Sequence, residues 1–189
     1  MAGKIIIMSA PSGCGKSTII SALMAGNDLD MQFSVSATSR SPREGEVDGV
    51  HYYFLTEEEF RDHIVKKHFV EYEEVYPGRF YGTLISEIER ITSSGHNVIL
   101  DIDVKGAMNV KRIYGDQALA LFILPPSIEV LRQRLESRAT DSAEAINERV
   151  NKAEYELSFA KNYDKTVIND DFEVAVKDAH DIIKSFIGE

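Results

Sequence analysis

At 189 residues and 43% apolar composition, the chain is sized for one compact globular domain with a real core rather than for two independent folding units. A formal net charge of −10 argues against a general nucleic-acid or anionic-membrane binder, so a polyanionic ligand must meet local rather than global positive charge. The apolar runs are too short to span a bilayer, the N-terminus lacks a signal-peptide pattern, and the single cysteine, Cys14, has no internal partner, so a cytoplasmic setting is expected.

In chain order, Ile5-Ile6-Ile7-Met8 reads as a buried strand. It runs into Ala10-Pro11-Ser12-Gly13-Cys14-Gly15-Lys16-Ser17-Thr18, and the amphipathic stretch Ile19 to Met24 follows. Strand, glycine-rich loop and helix in that order are what a phosphate-binding loop requires. Backbone N–H groups from Ser12 to Thr18 can curl around phosphate oxygens, and the new helix aims its positive N-terminus at them. Lys16 adds a point charge, the Ser17 hydroxyl suits Mg²⁺, and a nucleoside triphosphate is the predicted ligand. Ala10 stands where the pattern opens with glycine, which is tolerable if its φ stays negative. Cys14 lies near a helix N-terminus that could lower its thiol pKa; the competing reading is a small residue filling a loop position.

Phe33 to Thr38 alternates as a strand, and Ser39 to Glu46 is a polar loop carrying Arg40 and Arg43. Thr56 and Glu59 form a capping box opening a helix with Phe60, Ile64 and Val65 as its apolar face. Phe69 to Tyr76 reads as a strand, Pro77-Gly78 as a turn, and Leu84, Ile85, Ile88 and Ile91 as a helical face ending near Gly95. Asn97 to Asp103 is an apolar strand ending in acids, and Ala118 to Leu124 is a second buried strand. Beyond Ser127, residues 128–160 are helical with a break at 139–142, read as a hinged lid. Lys165 to Ile168 is a last strand, and Phe172, Ala175, Val176, Ala179, Ile182, Ile183 and Phe186 form the buried face of a closing helix. The five histidines show no ligand spacing, so no zinc site is expected.

The phosphate loop, Ser36-(x)3-Arg40-x-x-Arg43-x-Gly45-Glu46, Tyr52, Glu71, Phe80-Tyr81-Gly82-Thr83, Leu100-Asp101-Ile102-Asp103 and the arginines at 134, 138 and 149 together resemble the guanylate kinase family, in order and over nearly the whole chain. The resemblance implies an α/β P-loop three-layer fold with a central parallel sheet, a small mixed GMP-binding insert and a helical lid. Its divisions would be core 1–33, insert 34–83, core 84–124, lid 125–160 and core 161–189.

It also implies transfer of the ATP γ-phosphoryl group to GMP. A nucleoside monophosphate already carries close to two negative charges, so its oxygen is the nucleophile and no general base is needed. By resemblance, Arg40 and Arg43 grip the acceptor phosphate, with the Tyr52 and Tyr81 hydroxyls beside them. Guanine offers N1–H and its N2 amino group side by side to one carboxylate; Glu71 suits that role, with Ser36, Thr83 and Asp103 as further guanine contacts. The segment Pro77-Gly78-Arg79-Phe80 is one residue longer than the family's usual turn, which leaves Glu73 and Glu74 as alternates to Glu71.

Asp101 occupies the place of the acid that holds Mg²⁺ with Ser17, and could exchange roles with Asp103. Lys16, Arg43, Arg134 and Arg149 would stabilise the transferring phosphoryl group, and Arg138 and Asn169 would contact ATP. Read without the resemblance, the arginines are solvated surface residues and Asn169 opens a helix-capping turn. ATP and GMP are thus the expected partners and Mg²⁺ the expected cofactor. Two other readings stand beside this one: a non-catalytic guanylate-kinase-like binding module, which should have a degraded phosphate loop, and a kinase acting on a phosphorylated sugar.

Overall fold

The computed structural model describes residues 2–137 and 142–188. In chain order the first half contains β1 (Ile5–Ser9), α1 (Lys16–Gly26), β2 (Met31–Phe33), β3 (Ala37–Thr38), β4 (Tyr53–Phe54), α2 (Glu57–Val65), β5 (Phe69–Tyr76) and β6 (Arg79–Leu84). The second half contains α3 (Ile85–Ser93), β7 (Asn97–Asp101), α4 (Val104–Tyr114), β8 (Ala118–Leu124), α5 (Ile128–Ser137), α6 (Ala143–Leu157), β9 (Lys165–Ile168) and α7 (Phe172–Gly188). Five parallel strands in the order β2-β7-β1-β8-β9 make the central sheet, and β4-β3-β6-β5 make a separate mixed sheet.

The central strands are apolar throughout because helices cover both faces. Along β1, Ile6 and Met8 enter a core shared with Ile19 and Leu23 of α1 and Ala175, Ala179 and Ile183 of α7. Ile5 and Ile7 point the other way, to Ile88 and Ile91 of α3 and Val104, Ala107 and Val110 of α4. Each such isoleucine contributes about 1.5–3 kcal/mol by leaving water, which is why the sheet is the rigid base of the molecule. β1 sits between β7 and β8 with Met8 opposite Asp101, so the loop after β1 and the acid ending β7 emerge side by side at the carboxyl edge of the sheet.

The second sheet has a small core of its own: Ala37, Phe60, Phe69, Phe80 and Leu84. Phe60 of α2 stacks on Phe69 at 4.3 Å and on Phe80 at 5.2 Å between ring centroids. α2 begins at the predicted capping box, with the Glu59 N–H donating to Thr56 Oγ1 and the Thr56 N–H to Glu59. Buried Glu87 of α3 ties this unit to the main sheet. It accepts hydrogen bonds from the Val35 N–H (3.2 Å) and the Tyr53 hydroxyl (3.0 Å), and Arg90 forks onto it. Burial opposes its ionisation, but these donors outweigh that and hold its pKa below the usual carboxylate value.

Four local expectations change. The predicted strand Phe33 to Thr38 is two strands, because the chain leaves the central sheet after Phe33 and enters the mixed sheet at Ala37. The strand from Asn97 stops at Asp101, and Asp103 instead caps α4, accepting from the Gly106 N–H at 2.7 Å. α4, not among the predicted elements because Asp103 reads there as the end of the strand, covers one sheet face. Val65 and Phe172, assigned to buried faces, are 80% and 41% exposed because each sits at a helix end that overhangs its core.

Candidate active site

The loop between β1 and α1 is shaped by its backbone. Gly13 (φ 95°) and Gly15 (φ 82°) take left-handed conformations that would strain an L side chain, whereas Ala10 is not among the residues of positive φ. Ala10 therefore fits where the pattern has glycine. The loop wraps a cavity of about 420 Å³, whose wall includes Ser12, Gly13, Gly15, Lys16, Ser17 and Thr18, and whose far side is Asp101 to Asp103.

Lys16 pairs with Asp101 across the cavity. Burial lowers its pKa to about 8, while Glu156 and Asp103 pull it the other way. Cys14 is turned away from the cavity into the core beneath, and burial pushes its thiol up to about 12. The structure thus gives it the packing role and not that of an activated thiol. Asn169, buried at the end of β9, donates its side-chain amide to the Cys14 carbonyl at 2.7 Å and so holds the loop from behind. Asp171 caps the following helix instead, accepting from the Val174 N–H at 3.0 Å.

A second cavity, of about 250 Å³, lies between the mixed sheet and the end of β7. Ser36, Tyr52, Glu71, Glu73 and Tyr81 line it, and it shares Asp101, Ile102 and Asp103 with the first. Glu71 accepts from the Thr83 hydroxyl at 2.5 Å, opposite it in the β5–β6 ladder. Burial raises the Glu71 carboxyl to about 7; the Thr83 hydrogen bond opposes that shift and the nearby Asp103 charge adds to it. Gly106 leaves room for it: a Cβ there would lie 2.9 Å from Glu71 Oε2.

The β5–β6 ladder has irregularities between Phe69 and Glu71 and between Glu74 and Tyr76, and between them Glu71 lies opposite Thr83 and Glu73 opposite Tyr81. Glu74 faces the turn, accepting from the Gly78 N–H at 2.8 Å.

Arg40 and Arg43 do not line the Glu71 cavity; with Ser39, Ser41 and Arg79 they border a separate hollow of about 510 Å³. Arg40 forks onto Glu46 (2.6 and 2.7 Å), donates from Nε to the Tyr81 hydroxyl (3.2 Å) and lies 5.0 Å from the Tyr52 ring. Tyr81 and Tyr52 are therefore the partition between the arginines and the Glu71 cavity. Arg134 of α5 and Arg149 of α6 are also outside the phosphate-loop cavity, with Arg134 Nη2 3.5 Å from the Asp170 carbonyl. Arg138 lies outside the described residues.

One residue at the site has no signal in the sequence. Glu156 of α6 looks like half of an exposed i, i+4 pair with Lys152, yet it is only 9% exposed and lines the phosphate-loop cavity, where burial raises its carboxyl. Only the packing of α6 against the loop reveals it.

The guanylate kinase family model matches residues 2–186. The guanylate kinase of Bacteroides fragilis is 55% identical over 185 residues, 98% of this chain and 90% of that relative. That of Porphyromonas gingivalis is 54% identical over 186 residues, 98% and 99% of the two chains. The crystal structure of guanylate kinase from Anaplasma phagocytophilum superposes with a TM-score of 0.76 at 30% identity, covering 100% of this chain and 88% of that one. A match that runs unbroken through both cavities and the elements that build them makes this chain a member of the guanylate kinase family.

Proposed function

We propose that the chain transfers the γ-phosphoryl group of ATP to GMP, giving ADP and GDP. The observation that carries this reading is the shared wall: Asp101, Ile102 and Asp103 border both the phosphate-loop cavity and the Glu71 cavity. A triphosphate seated in the first and a guanine in the second would bring their phosphates together at the end of β7.

In the transfer, a phosphate oxygen of GMP bonds to the γ-phosphorus, the bond from that phosphorus to the β,γ-bridging oxygen breaks, and the electron pair leaves with ADP. The oxygen is already anionic, so the chain's task is alignment and charge. Backbone N–H groups from Ser12 to Thr18 cradle the ATP phosphates, and Lys16 exchanges Asp101 for them. Ionised Glu71, held by the buried Thr83 hydroxyl, accepts from guanine N1–H and N2–H, with Ser36 and Asp103 around the base. Arg40, already beside the Tyr81 hydroxyl and the Tyr52 ring, and Arg43 hold the acceptor phosphate with those two tyrosines. Arg134, Arg149 and, from the sequence, Arg138 approach with the segment 125–160 closing as a lid, and residues 34–83 close as the acceptor insert. Asn169 supports the ATP side through its hold on the loop.

Ser17 and Asp101 suit a Mg²⁺ ion carried mainly by ATP. Such an ion keeps most of its water and phosphate ligands and needs few from the protein. When bound, Mg²⁺ supplies charge neutralisation at the phosphates. No helix among the described residues is long and apolar enough to cross a membrane, and we place the reaction in the cytoplasm, within purine nucleotide metabolism. The complete phosphate loop weighs against a non-catalytic binding module, and the carboxylate-lined second cavity weighs against a sugar phosphate.

The test is ADP release with ATP and Mg²⁺, offering GMP, AMP, CMP, UMP or no acceptor. Turnover confined to GMP is expected. Folded protein that no monophosphate stimulates would refute the proposal.

A further inference from the structure

Away from both cavities, two of the five histidines meet. His63 Nδ1 and His68 Nδ1 are 3.1 Å apart, with the rings at 75° and their centroids 4.9 Å apart. The backbone fixes this meeting. α2 ends with Lys67 in the left-handed region (φ 57°), the His68 N–H donating to the His63 carbonyl (3.0 Å) and the Lys67 N–H to Ile64 (3.0 Å). This helix-ending motif normally closes with an apolar contact between the two positions that here hold imidazoles. On the other side, the His68 carbonyl accepts from the Ile85 N–H at 2.9 Å, anchoring it to the start of α3.

In this contact the Nδ1–H of one ring donates to the Nδ1 lone pair of the other. We propose that His63 and His68 form a binding site for one divalent transition-metal ion of the zinc, cobalt or nickel type, held by both Nδ1 atoms. Imidazole nitrogen is a preferred ligand for these ions and a poor one for Mg²⁺. With metal–nitrogen bonds of about 2.0–2.1 Å, a 3.1 Å separation corresponds to a ligand angle of roughly 98°, within the tetrahedral-to-octahedral range. The donor ring moves its hydrogen from Nδ1 to Nε2, so two neutral rings bind the ion with no net proton release.

A cavity of about 340 Å³ adjoins the pair, bordered also by Lys67, Leu84, Ile85 and Glu89, and gives room for the water ligands that must complete the shell. Those waters are needed because no third protein ligand joins the two among the described residues. The charged groups around the pair come from both packed elements: Glu59, Asp62, Lys66 and Lys67 from α2 and its end, and Glu89 from α3. Asp62 is paired with Lys66 at 2.6 Å and Glu59 is engaged at the Thr56 cap, so Glu89, on the cavity wall, is the carboxylate placed to offset the metal's charge. The sequence spacing hides this site, because five residues apart is neither one helical turn nor one strand repeat; the left-handed residue between them closes the distance.

The test uses untagged, nucleotide-free protein titrated calorimetrically with Zn²⁺, and with Co²⁺ followed by its visible absorption, for wild type, His63→Gln, His68→Gln and His96→Gln. One equivalent is expected in wild type and in His96→Gln. Each of the other two variants should bind at least about tenfold more weakly while keeping ADP release with GMP in metal-free Mg²⁺ buffer. Zn²⁺ should also raise the melting temperature of wild type more than that of either variant. Equal affinity in wild type, His63→Gln and His68→Gln, or displacement of the bound ion by millimolar Mg²⁺, overturns the site.

Discussion

The phosphate loop and the Glu71 cavity hold their walls in place by different means. The loop is a contiguous run of residues whose shape comes from two left-handed glycines and whose ligating groups are mostly backbone. It is mounted on a sheet whose strands are buried on both faces. The Glu71 cavity draws side chains from the segment after β2, from β5 and β6 and from the end of β7, on a sheet stabilised by five core residues. A backbone site on a large core tolerates most changes nearby, whereas a side-chain site on a small core depends on every strand that contributes to it.

The largest effect is expected at the phosphate loop. In the proposed reaction Lys16→Ala should lower turnover about 10³-fold or more, roughly 4 kcal/mol, by removing a fixed cation from the transferring phosphates. Its melting temperature should stay close to wild type, since Lys16 belongs to the cavity wall and not to either core. Unchanged kcat in this variant would refute the role given to the loop.

Phe60→Ala should act on the mixed sheet alone. Truncating the ring that stacks on Phe69 and Phe80 costs about 3–4 kcal/mol. That loss falls on the small core, so hydrogen exchange should accelerate in β3 to β6 and not in β1, β7 or β8. ATP binding should survive while GMP binding is lost. Uniform acceleration across both sheets would mean that the two units unfold together.

Glu71→Gln separates chemistry from folding within the second cavity. Losing a charged acceptor for two guanine donors should lower kcat/KM for GMP about 100-fold, near 2–3 kcal/mol. The wild-type carboxyl ionises near pH 7 in the free protein, so kcat/KM for GMP should fall as pH drops below 7. In the variant the remaining acid limb should follow the GMP phosphate near 6. Because burial raises this pKa above the unfolded value, the neutral carboxyl stabilises the ligand-free fold at acid pH. That contribution is lost as pH rises from the ordinary carboxylate range through about 7. The glutamine variant should therefore melt higher than wild type at pH 8 and close to it at pH 4.5.

The smallest effect is expected behind the phosphate loop. Asn169→Ala removes the buried amide that holds the Cys14 carbonyl and should cost about 1–2 kcal/mol, a fall in melting temperature of about 3–6 °C. KM for ATP should rise with little change in KM for GMP. The reverse pattern would show that Asn169 supports the insert and not the loop.

The sequence by itself carried the features whose physics is local. The phosphate loop is contiguous, so glycines, lysine and flanking strand and helix are read together; the capping box at Thr56 and the buried runs of β1 and β8 are likewise short-range patterns. Other features needed the folded chain, because they depend on which distant segments become neighbours. The break between Phe33 and Ala37 has no local mark, since only the pairing partners, β7 on one side and β4 and β6 on the other, assign the two halves to different sheets. The register that sets Glu71 opposite Thr83 depends on pairing with β6, and the burial of Cys14 and Glu156 depends on helices packing onto the loop. Residue type and spacing determined the phosphate-binding loop; the desolvation of Glu71, Lys16 and Glu156, which sets their charge, was decided only by tertiary packing, since it is the removal of water by remote parts of the chain.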